Sequence, residues 1–119
     1  MRVLCADCRL PYPASAEEVF ELGLASDQVG AEMHRAEGCA ACNFTGYRGR
    51  VGIFELMLVD EEVRAGVSSN TDSKTIKQLA MRKGMHTLRA DGARKALEGI
   101  TSVAEVLRAT EEEGAVEQI

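Results

Sequence analysis

The stretch Gly38–Leu56, GCAACNFTGYRGRVGIFEL, places a cysteine pair, a turn rich in glycine and arginine, and an apolar run next to one another. Its cysteines, Cys39 and Cys42, have the same spacing as a second pair far upstream, Cys5 and Cys8. Two C-x-x-C pairs with a long insertion are typical of zinc sites, because two intervening residues let both sulfurs of a pair point at one ion. The spacing predicts one structural zinc ion held by four thiolates.

Other uses of the four cysteines stay open at this level. Two disulfides would suit a small secreted domain, a rubredoxin-type iron site would use the same ligands, and a thioredoxin-like redox pair would need only two of the cysteines. The sequence shows no secretory leader, aromatic shell or βαβ pattern in favour of any of these. Four cysteines would close the coordination sphere, which argues against a zinc hydrolase, and we do not expect His34 or His86 to bind metal.

Four thiolates around a divalent ion leave a net negative charge, so positively charged neighbours should help to hold such a site at neutral pH. Three arginines lie close to the cysteine pairs in the sequence: Arg2, Arg9 and Arg35. They are candidates for this role, with plain surface solvation as the alternative.

Composition limits the class of protein. A chain of 119 residues fits one domain with a modest core, and 45% hydrophobic but only 4% aromatic residues favour helices packed through aliphatic side chains. The net charge of −5 argues against nucleic acid as the main partner. No apolar run is long enough to span a membrane, so we expect a soluble, cytosolic protein. Because Cys5 follows Met1 so closely, we also expect the chain to be a piece of a larger protein.

Between the cysteine pairs, Pro11 and Pro13 interrupt regular strand pairing. Ser15 with Glu18 three residues later forms a capping-box signature, which predicts a short helix from about Ala16 to Leu22 or Gly23. Its apolar residues and the one that follows are expected to pack on the metal loops: Val19, Phe20, Leu22 and Leu24.

The run Val51–Val59, VGIFELMLV, is almost continuously apolar and follows the turn-forming Gly46 and Gly49. This pattern predicts a strand that is buried on both faces. The only other candidate strand is MRVL at the start of the chain, Met1–Leu4, and a two-stranded ribbon is marginal in water. In isolation, we expect the exposed edge of the run to pair with Arg2–Leu4 or with a second copy.

The remainder of the sequence is predicted to be helical up to about Thr110. Asp60 is expected to cap the helix EEVRAGV, and Asp72 or Ser73 is expected to cap KTIKQLAMRK, which should end at Gly84. Thr87 is expected to open the helix LRADGARKALE, which should end at Gly99. Ser102 with Glu105 should form a capping box at the start of VAEVLRAT. Apolar residues at helical spacing should form a core. The acidic stretch 111–119 is expected to be a flexible tail.

Five blocks in this order resemble the C-terminal region of the type II secretion and type IV pilus assembly ATPases. They are the two cysteine pairs, TGYRGRVGIFEL at Thr45–Leu56, GMHTLRADGARKALEGITS at Gly84–Ser102, and VLRAT at Val106–Thr110. The resemblance implies a mostly α-helical fragment of a RecA-like ATPase, with a small tetracysteine zinc lobe and one or two short strands. It divides the chain into a zinc subdomain (1–50), a strand returning to the RecA-like core (51–59), a helical subdomain (60–110) and the tail (111–119).

The resemblance also implies a function. The parent would be a cytoplasmic, hexameric motor that is peripheral to the inner membrane and drives protein secretion or pilus assembly. Its zinc lobe, with ligands Cys5, Cys8, Cys39 and Cys42, would be non-catalytic and would support folding and contacts with neighbouring subunits and with inner-membrane platform components. No nucleic acid and no direct membrane span are expected. The alternative is a stand-alone zinc-ribbon adaptor or nucleic-acid-binding module.

ATP and Mg²⁺ are expected only in the parent protein, because the sequence has no G-x-x-x-x-G-K-[ST] loop to hold phosphates. The chain by itself is therefore not expected to hydrolyse ATP. Arg48 and Arg50 are candidates for a subunit interface or for fixing the turn, with contact to nucleotide as the less favoured alternative.

Overall fold

The computed structural model describes residues 1–110. Within them lie four strands, β1 (Arg2–Leu4), β2 (Leu10–Pro13), β3 (Glu32–Arg35) and β4 (Tyr47–Arg50), and five α-helices, α1 (Ala16–Glu21), α2 (Glu61–Ser68), α3 (Ser73–Arg82), α4 (Leu88–Leu97) and α5 (Val103–Ala109). The described residues form two compact units, one joining Met1–Ile53 with residues 88–110 and one of Phe54–Thr87. The structure thus groups α4 and α5 with the cysteine segment. The division of the chain that the resemblance implies stays a prediction.

Strand β1 pairs with β4 in an antiparallel ribbon, with Arg2 opposite Arg50 and Leu4 opposite Tyr47. The sequence predicts a strand over the first four residues, and the structure has one at Arg2–Leu4. Its partner differs from the expected one, because it is the turn-forming sequence YRGR. Val51 extends the ribbon by one residue: its N–H donates to the Met1 carbonyl at 2.9 Å, and its carbonyl accepts from the Met1 amino group at 2.9 Å.

The apolar run Val51–Val59 is not a strand in this chain. Three of its large side chains, Phe54, Leu56 and Leu58, are 73%, 75% and 77% exposed. A strand needs a partner for its backbone groups, and β1 is already paired with β4. The return of this run to the central sheet of a parent protein stays a prediction.

Strands β2 and β3 form a second antiparallel ribbon that the sequence did not lead us to expect. Pro11 lies opposite His34 and Pro13 opposite Glu32. Prolines at alternate positions can both turn their nitrogens away from the partner strand, which is possible on the free edge of a two-stranded ribbon. The expectation that the two prolines prevent pairing was therefore wrong.

Helix α1 begins with the predicted capping box. The Ser15 hydroxyl accepts from the Glu18 N–H at 3.1 Å, and the Glu18 carboxylate accepts from the Ser15 N–H at 3.1 Å. Val19 and Leu22 are buried, but Phe20 is 84% exposed, so the expectation that it packs on the metal loops was wrong. Val19 and Leu22 lie on one helical face, and Phe20 falls outside that stripe.

The core of the first unit lies between α1, β3 and the helices α4 and α5 rather than on the metal loops. Its buried members are small or aliphatic: Ala14, Val19, Leu22, Met33, Ala93, Ala96, Val103 and Val106. Helix α4 approaches α5 closely at Gly92, where an added Cβ would lie 2.8 Å from a methyl carbon of Val106. Because this core is small, the stability of the unit must also come from interactions outside it.

The remaining predicted helix caps are largely confirmed. Asp60, Asp72 and Ser102 accept hydrogen bonds from the N–H groups of Val63, Thr75 and Glu105. Only half of the second capping box forms, because the Glu105 carboxylate turns to Arg2 instead. Among the helices of residues 1–110, none has both the length and the apolar character needed to cross a bilayer. The predicted flexible tail, 111–119, lies outside the described residues.

Candidate metal centre

The four cysteines come together at one point of the first unit. All four Sγ atoms lie within 4.8 Å of one another. The Cys5 and Cys39 sulfurs are 3.8 Å apart, and the Cys8–Cys42 and Cys39–Cys42 pairs are each separated by 3.9 Å. Cys5 and Cys42 are buried, Cys8 and Cys39 are partly exposed, and none of the four forms a disulfide.

These separations fit a tetrahedral metal ion. Four sulfurs at about 2.3 Å from a central zinc ion would be about 3.8 Å from one another, which is the edge of the tetrahedron. Three of the six sulfur–sulfur separations, at 3.8 and 3.9 Å, match that edge, and all six lie within 4.8 Å. The cluster can therefore hold one ion after small movements of the sulfurs, and the ion would be one that prefers thiolates, such as zinc or iron.

Two short turns aim the sulfurs inward. In the first, the N–H groups of Cys8 and Arg9 both donate to the Cys5 carbonyl. In the second, a single turn of 3-10 helix over Ala40–Cys42 follows Cys39 and ends at Asn43, whose φ is 56°. A left-handed residue at this point reverses the chain, and asparagine tolerates that conformation better than most.

Backbone N–H groups, rather than charged side chains, surround the sulfurs. The Cys42 Sγ accepts from the N–H of Cys39 at 3.3 Å and from that of Gly46 at 3.2 Å. The Cys8 Sγ accepts from the N–H of Gly38 at 3.3 Å. Such donors stabilise the thiolate form, which is the form that binds metal.

The pKa values of Cys42 and Cys8 diverge. At Cys42, burial raises the pKa, but the N–H groups of Cys39 and Gly46 outweigh it and bring the pKa down to about 6. At Cys8, the Gly38 N–H lowers the pKa, but burial and the neighbouring thiols raise it to about 11. Without an ion, Cys42 therefore ionises at a lower pH than Cys8.

The three arginines proposed from the sequence as partners of the thiolates make other contacts within residues 1–110. Arg2 pairs with Glu105, Arg9 donates to the Gly99 carbonyl at 2.5 Å, and Arg35 lies over the Tyr12 ring. Backbone N–H groups occupy the place for which these arginines were candidates.

Of the other candidates, His34 lies in β3 and His86 precedes α4, and neither belongs to the cysteine cluster. Arg48 and Arg50 are exposed on β4. The residues that sequence reasoning missed are Gly38 and Gly46, whose N–H groups donate to sulfur. The sequence does contain a signal for them, because Gly38 lies one residue before Cys39 and Gly46 lies four residues after Cys42.

Gly46 also closes the two turns against each other. Its carbonyl accepts from the Cys5 N–H at 2.9 Å, and an added Cβ would lie 2.5 Å from the Cβ of Ala36. At Gly49 the φ of 87° is close to the 84° of Gly46, but a Cβ there would meet nothing within 4 Å. A side chain would be strained by the positive φ at both glycines, but it would be crowded only at Gly46. Substitutions at the two positions therefore distinguish the effect of strain from the effect of close packing.

Gly46→Ala is expected to weaken metal binding by about tenfold or more, because the shifted backbone would misplace the N–H that donates to Cys42. Gly49→Ala should lose only about 1 kcal/mol of stability through strain at positive φ and keep its metal affinity. Competition with a chromogenic chelator measures both affinities. Equal affinities in the two variants would show that the close approach at Gly46 does not shape the site.

Comparison with known proteins shows which family this chain is similar to. The family described as Type II/IV secretion system protein matches residues 1–108. The chain is 42% identical over 111 residues to the type IV pilus assembly ATPase PilB of Thermus thermophilus, covering 92% of this chain and 12% of that protein. It is 44% identical over 115 residues to the type II secretion system protein E of Aeromonas hydrophila, covering 95% and 22%.

A third relative, the type IV pilus assembly ATPase TfpB of Acinetobacter baylyi, is 48% identical over 109 residues, which cover 91% of this chain and 19% of that protein. The chain thus spans between 12% and 22% of the length of these three curated relatives. The match includes the segments that contain all four cysteines, since it begins at the first residue and runs to residue 108.

Proposed function

The chain belongs to the Type II/IV secretion system protein family, and from this membership we propose that it is the zinc-binding, non-catalytic C-terminal part of a secretion or pilus-assembly motor ATPase. Its four ligands are Cys5, Cys8, Cys39 and Cys42. ATP, Mg²⁺ and the hydrolysis reaction belong to the remainder of the motor, which works as a cytoplasmic hexamer held at the inner membrane through its partners.

The observation that supports this role best is the sulfur tetrahedron itself. It joins turns that are 34 positions apart in the chain, from Cys5 to Cys39 and from Cys8 to Cys42. Four thiolates complete the coordination of zinc and leave no open position for substrate or water, which is the mark of a structural site. The ion holds the two turns together in a unit whose apolar core is small.

The lobe then presents its surface to other proteins. Arg48 and Arg50 are exposed on β4, directly after the second turn, and we assign them to contacts with a neighbouring subunit or with platform components. Guanidinium groups suit such contacts because they form bidentate pairs with carboxylates. The test is to replace Arg48 and Arg50 by alanine in the full-length protein. If hexamer assembly and ATP hydrolysis are both unchanged, neither arginine has this role.

Elemental analysis of the purified protein is expected to find one zinc ion per chain. A thiol reagent should react fully with the four cysteines only after a chelator has removed the ion. Removal should also lower the stability strongly, since zinc contributes on the order of 10 kcal/mol in small zinc modules. Iron in place of zinc would show that the site is right but the identity of the ion is wrong. A metal-free protein that is equally stable with and without chelator would refute the proposed site.

A further inference from the structure

Helix α1 has an outward face that consists of Glu17, Phe20 and Glu21, and we call it the α1 face. Phe20 is 84% exposed, and the two glutamates are exposed beside it on one helical stripe. This stripe points away from the buried Val19. Neither carboxylate of the face forms an ion pair within the described part of the chain. Two like charges one helical turn apart repel each other, so the α1 face gains no stability from its own charges.

The α1 face is held in place by contacts on the other side of the helix. The Tyr12 hydroxyl donates to the Glu18 carboxylate at 2.6 Å, and the Glu21 carbonyl accepts from Nη1 of Arg89 at 3.4 Å. A side chain on a preorganised helix loses little further freedom when it binds a partner. Phe20 is therefore suited to be the anchor of a protein contact.

The charge around the α1 face predicts the chemistry of its partner. Residues 10–38 contain six of the nineteen acidic residues of the chain but only one of its fourteen basic residues, Arg35. This segment alone therefore accounts for the net charge of −5. An exposed aromatic ring in acidic surroundings fits a surface that combines an apolar side chain with positive charges.

Helix α3 carries such a surface, which consists of Lys74, Met81 and Arg82 and which we call the α3 face. The three residues lie on one helical stripe, because positions i, i+7 and i+8 coincide on a helix. Met81 is 45% exposed, and both cations are exposed. Neither cation forms an ion pair among residues 1–110, whereas Lys83 at the end of the helix pairs with two carboxylates.

We propose that the α1 face of one copy of this chain binds the α3 face of a second copy. The Phe20 ring then packs against the Met81 thioether, which is a favourable contact between sulfur and an aromatic ring. The two glutamates of the α1 face meet the two cations of the α3 face. The inference rests on the proposed function and deepens it, because it names two surfaces through which subunits of the motor contact each other.

The two faces differ, so the contact is of the head-to-tail kind. Such a contact closes into a ring when its rotation allows, which is the symmetry that the proposed hexamer requires. Each face is only one side of a short helix, and an interface of that size is weak by itself. The contact therefore adds to other contacts between subunits.

The test reverses the charges of one face at a time. The first variant combines Glu17→Lys with Glu21→Lys, and the second combines Lys74→Glu with Arg82→Glu. Sedimentation equilibrium of the zinc-loaded protein measures self-association at concentrations up to about 1 mM, because so small a contact is weak. We expect the wild type to associate and each variant alone to associate about tenfold more weakly or less, because like charges then meet.

An equimolar mixture of the two variants separates this contact from a general effect of charge. In the mixture each reversed face meets a face of opposite charge on the other variant, so association should return to the level of the wild type. Asp27→Lys with Glu32→Lys is the matched control, because it makes the same change of charge within residues 10–38 but outside α1. The control should associate as the wild type does, and circular dichroism checks that every variant is folded.

A wild type that stays monomeric over the whole range would overturn the proposal, and so would a mixture that associates no better than its components. An equal loss of association in the control would show that net charge, rather than the α1 face, governs the contact. Impaired hexamer assembly of the full-length protein with the first variant only would show that another partner occupies the α1 face. A protein without metal would refute the proposed zinc site instead, and the mixture would still decide whether the two faces meet.

Discussion

Cys42→Ser is expected to abolish stoichiometric zinc binding and to leave the first unit largely unfolded at room temperature. Cys42 is the most firmly held of the four sulfurs, since it is buried and accepts two backbone N–H groups. A serine hydroxyl stays protonated and is a poor zinc ligand, so three thiolates would remain around an incomplete site. The change removes the ligand and leaves the rest of the turn nearly isosteric.

The size of the effect follows from two magnitudes. Metal binding contributes on the order of 10 kcal/mol to the folding of small zinc modules. A whole domain is usually stable by only about 5 to 15 kcal/mol. The apolar core of this unit consists of eight buried residues, four of which are alanine or methionine and none of which is aromatic. Such a core is not expected to hold the β1–β4 ribbon without the ion.

Ala41→Ser is the matched control, because Ala41 is exposed in the same 3-10 turn and the variant introduces the same side chain one position away. It should keep one zinc per chain and a normal melting transition. Elemental analysis and circular dichroism on both variants measure the two quantities. A Cys42→Ser protein with full zinc content and an unchanged transition would show that Cys42 is not a ligand.

The local parts of this fold were predictable from the sequence because their signals lie within a few residues of the structures they direct. The capping residues Ser15, Asp60 and Asp72 each meet an N–H three positions ahead, as expected. The cysteine cluster was also predictable, because the turn within each pair is local and a shared ion needs only matching spacing. Neither inference required knowledge of distant contacts.

The pairing of strands was not predictable in the same way. Strand β2 contains two prolines, and only the two-stranded nature of its ribbon makes them acceptable. The sequence led us to expect Val51–Val59 to pair with the first strand or with a second copy, and YRGR to be a turn. In the structure the chain reverses at Gly46 and brings Tyr47–Arg50 alongside β1 first. Register and strand partners depend on where turns end, which composition does not reveal.

The most distant link that the sequence did not reveal is the one between Arg2 and Glu105, 103 positions apart. The Glu105 side chain is fully buried in the first turn of α5, and its carboxylate accepts from the Nε atoms of Arg2 and Arg108, each at 2.6 Å. Arg2 also lies over the Tyr47 ring, 4.1 Å from its centre. Tyr47 in turn shares a hydrogen bond of 2.7 Å with Ser102. This network fastens the β1–β4 ribbon to α5.

Glu105→Gln is expected to lower the free energy of unfolding by about 2 to 3 kcal/mol at neutral pH. The amide keeps the shape but loses two charge-assisted hydrogen bonds and turns an N–H₂ group toward guanidinium donors. The loss stays at or below the lower end of the roughly 3 to 5 kcal/mol typical of broken buried pairs, because both arginines are partly exposed and remain hydrated. Urea denaturation of zinc-loaded protein measures the difference.

Glu98→Gln provides the control, since it removes the charge from a partly exposed glutamate that pairs with Arg94 one helical turn away. Surface pairs of this kind contribute about 0 to 1 kcal/mol, so its stability should be close to that of the wild type. Equal losses in the Glu105 and Glu98 variants would show that the buried network does not fasten the ribbon to α5.

The pH dependence of the Glu105 effect gives a second, independent check. Burial raises the pKa of Glu105, but the hydrogen bonds from Arg2 and Arg108 outweigh it and hold the pKa below its ordinary value. A carboxylate with a lowered pKa stabilises the folded state at pH values above the unfolded pKa of about 4.3, and this contribution is lost as the pH falls through the folded pKa.

The free energy of unfolding of the wild type should therefore exceed that of Glu105→Gln by a constant margin at neutral pH, and the margin should shrink as the pH falls below about 4.3. Loss of zinc in acid affects both proteins alike, so the difference between them isolates the carboxylate. A margin that stays constant down to the acid limit would mean that Glu105 is already protonated at neutral pH and that its contacts with the two arginines are not ion pairs.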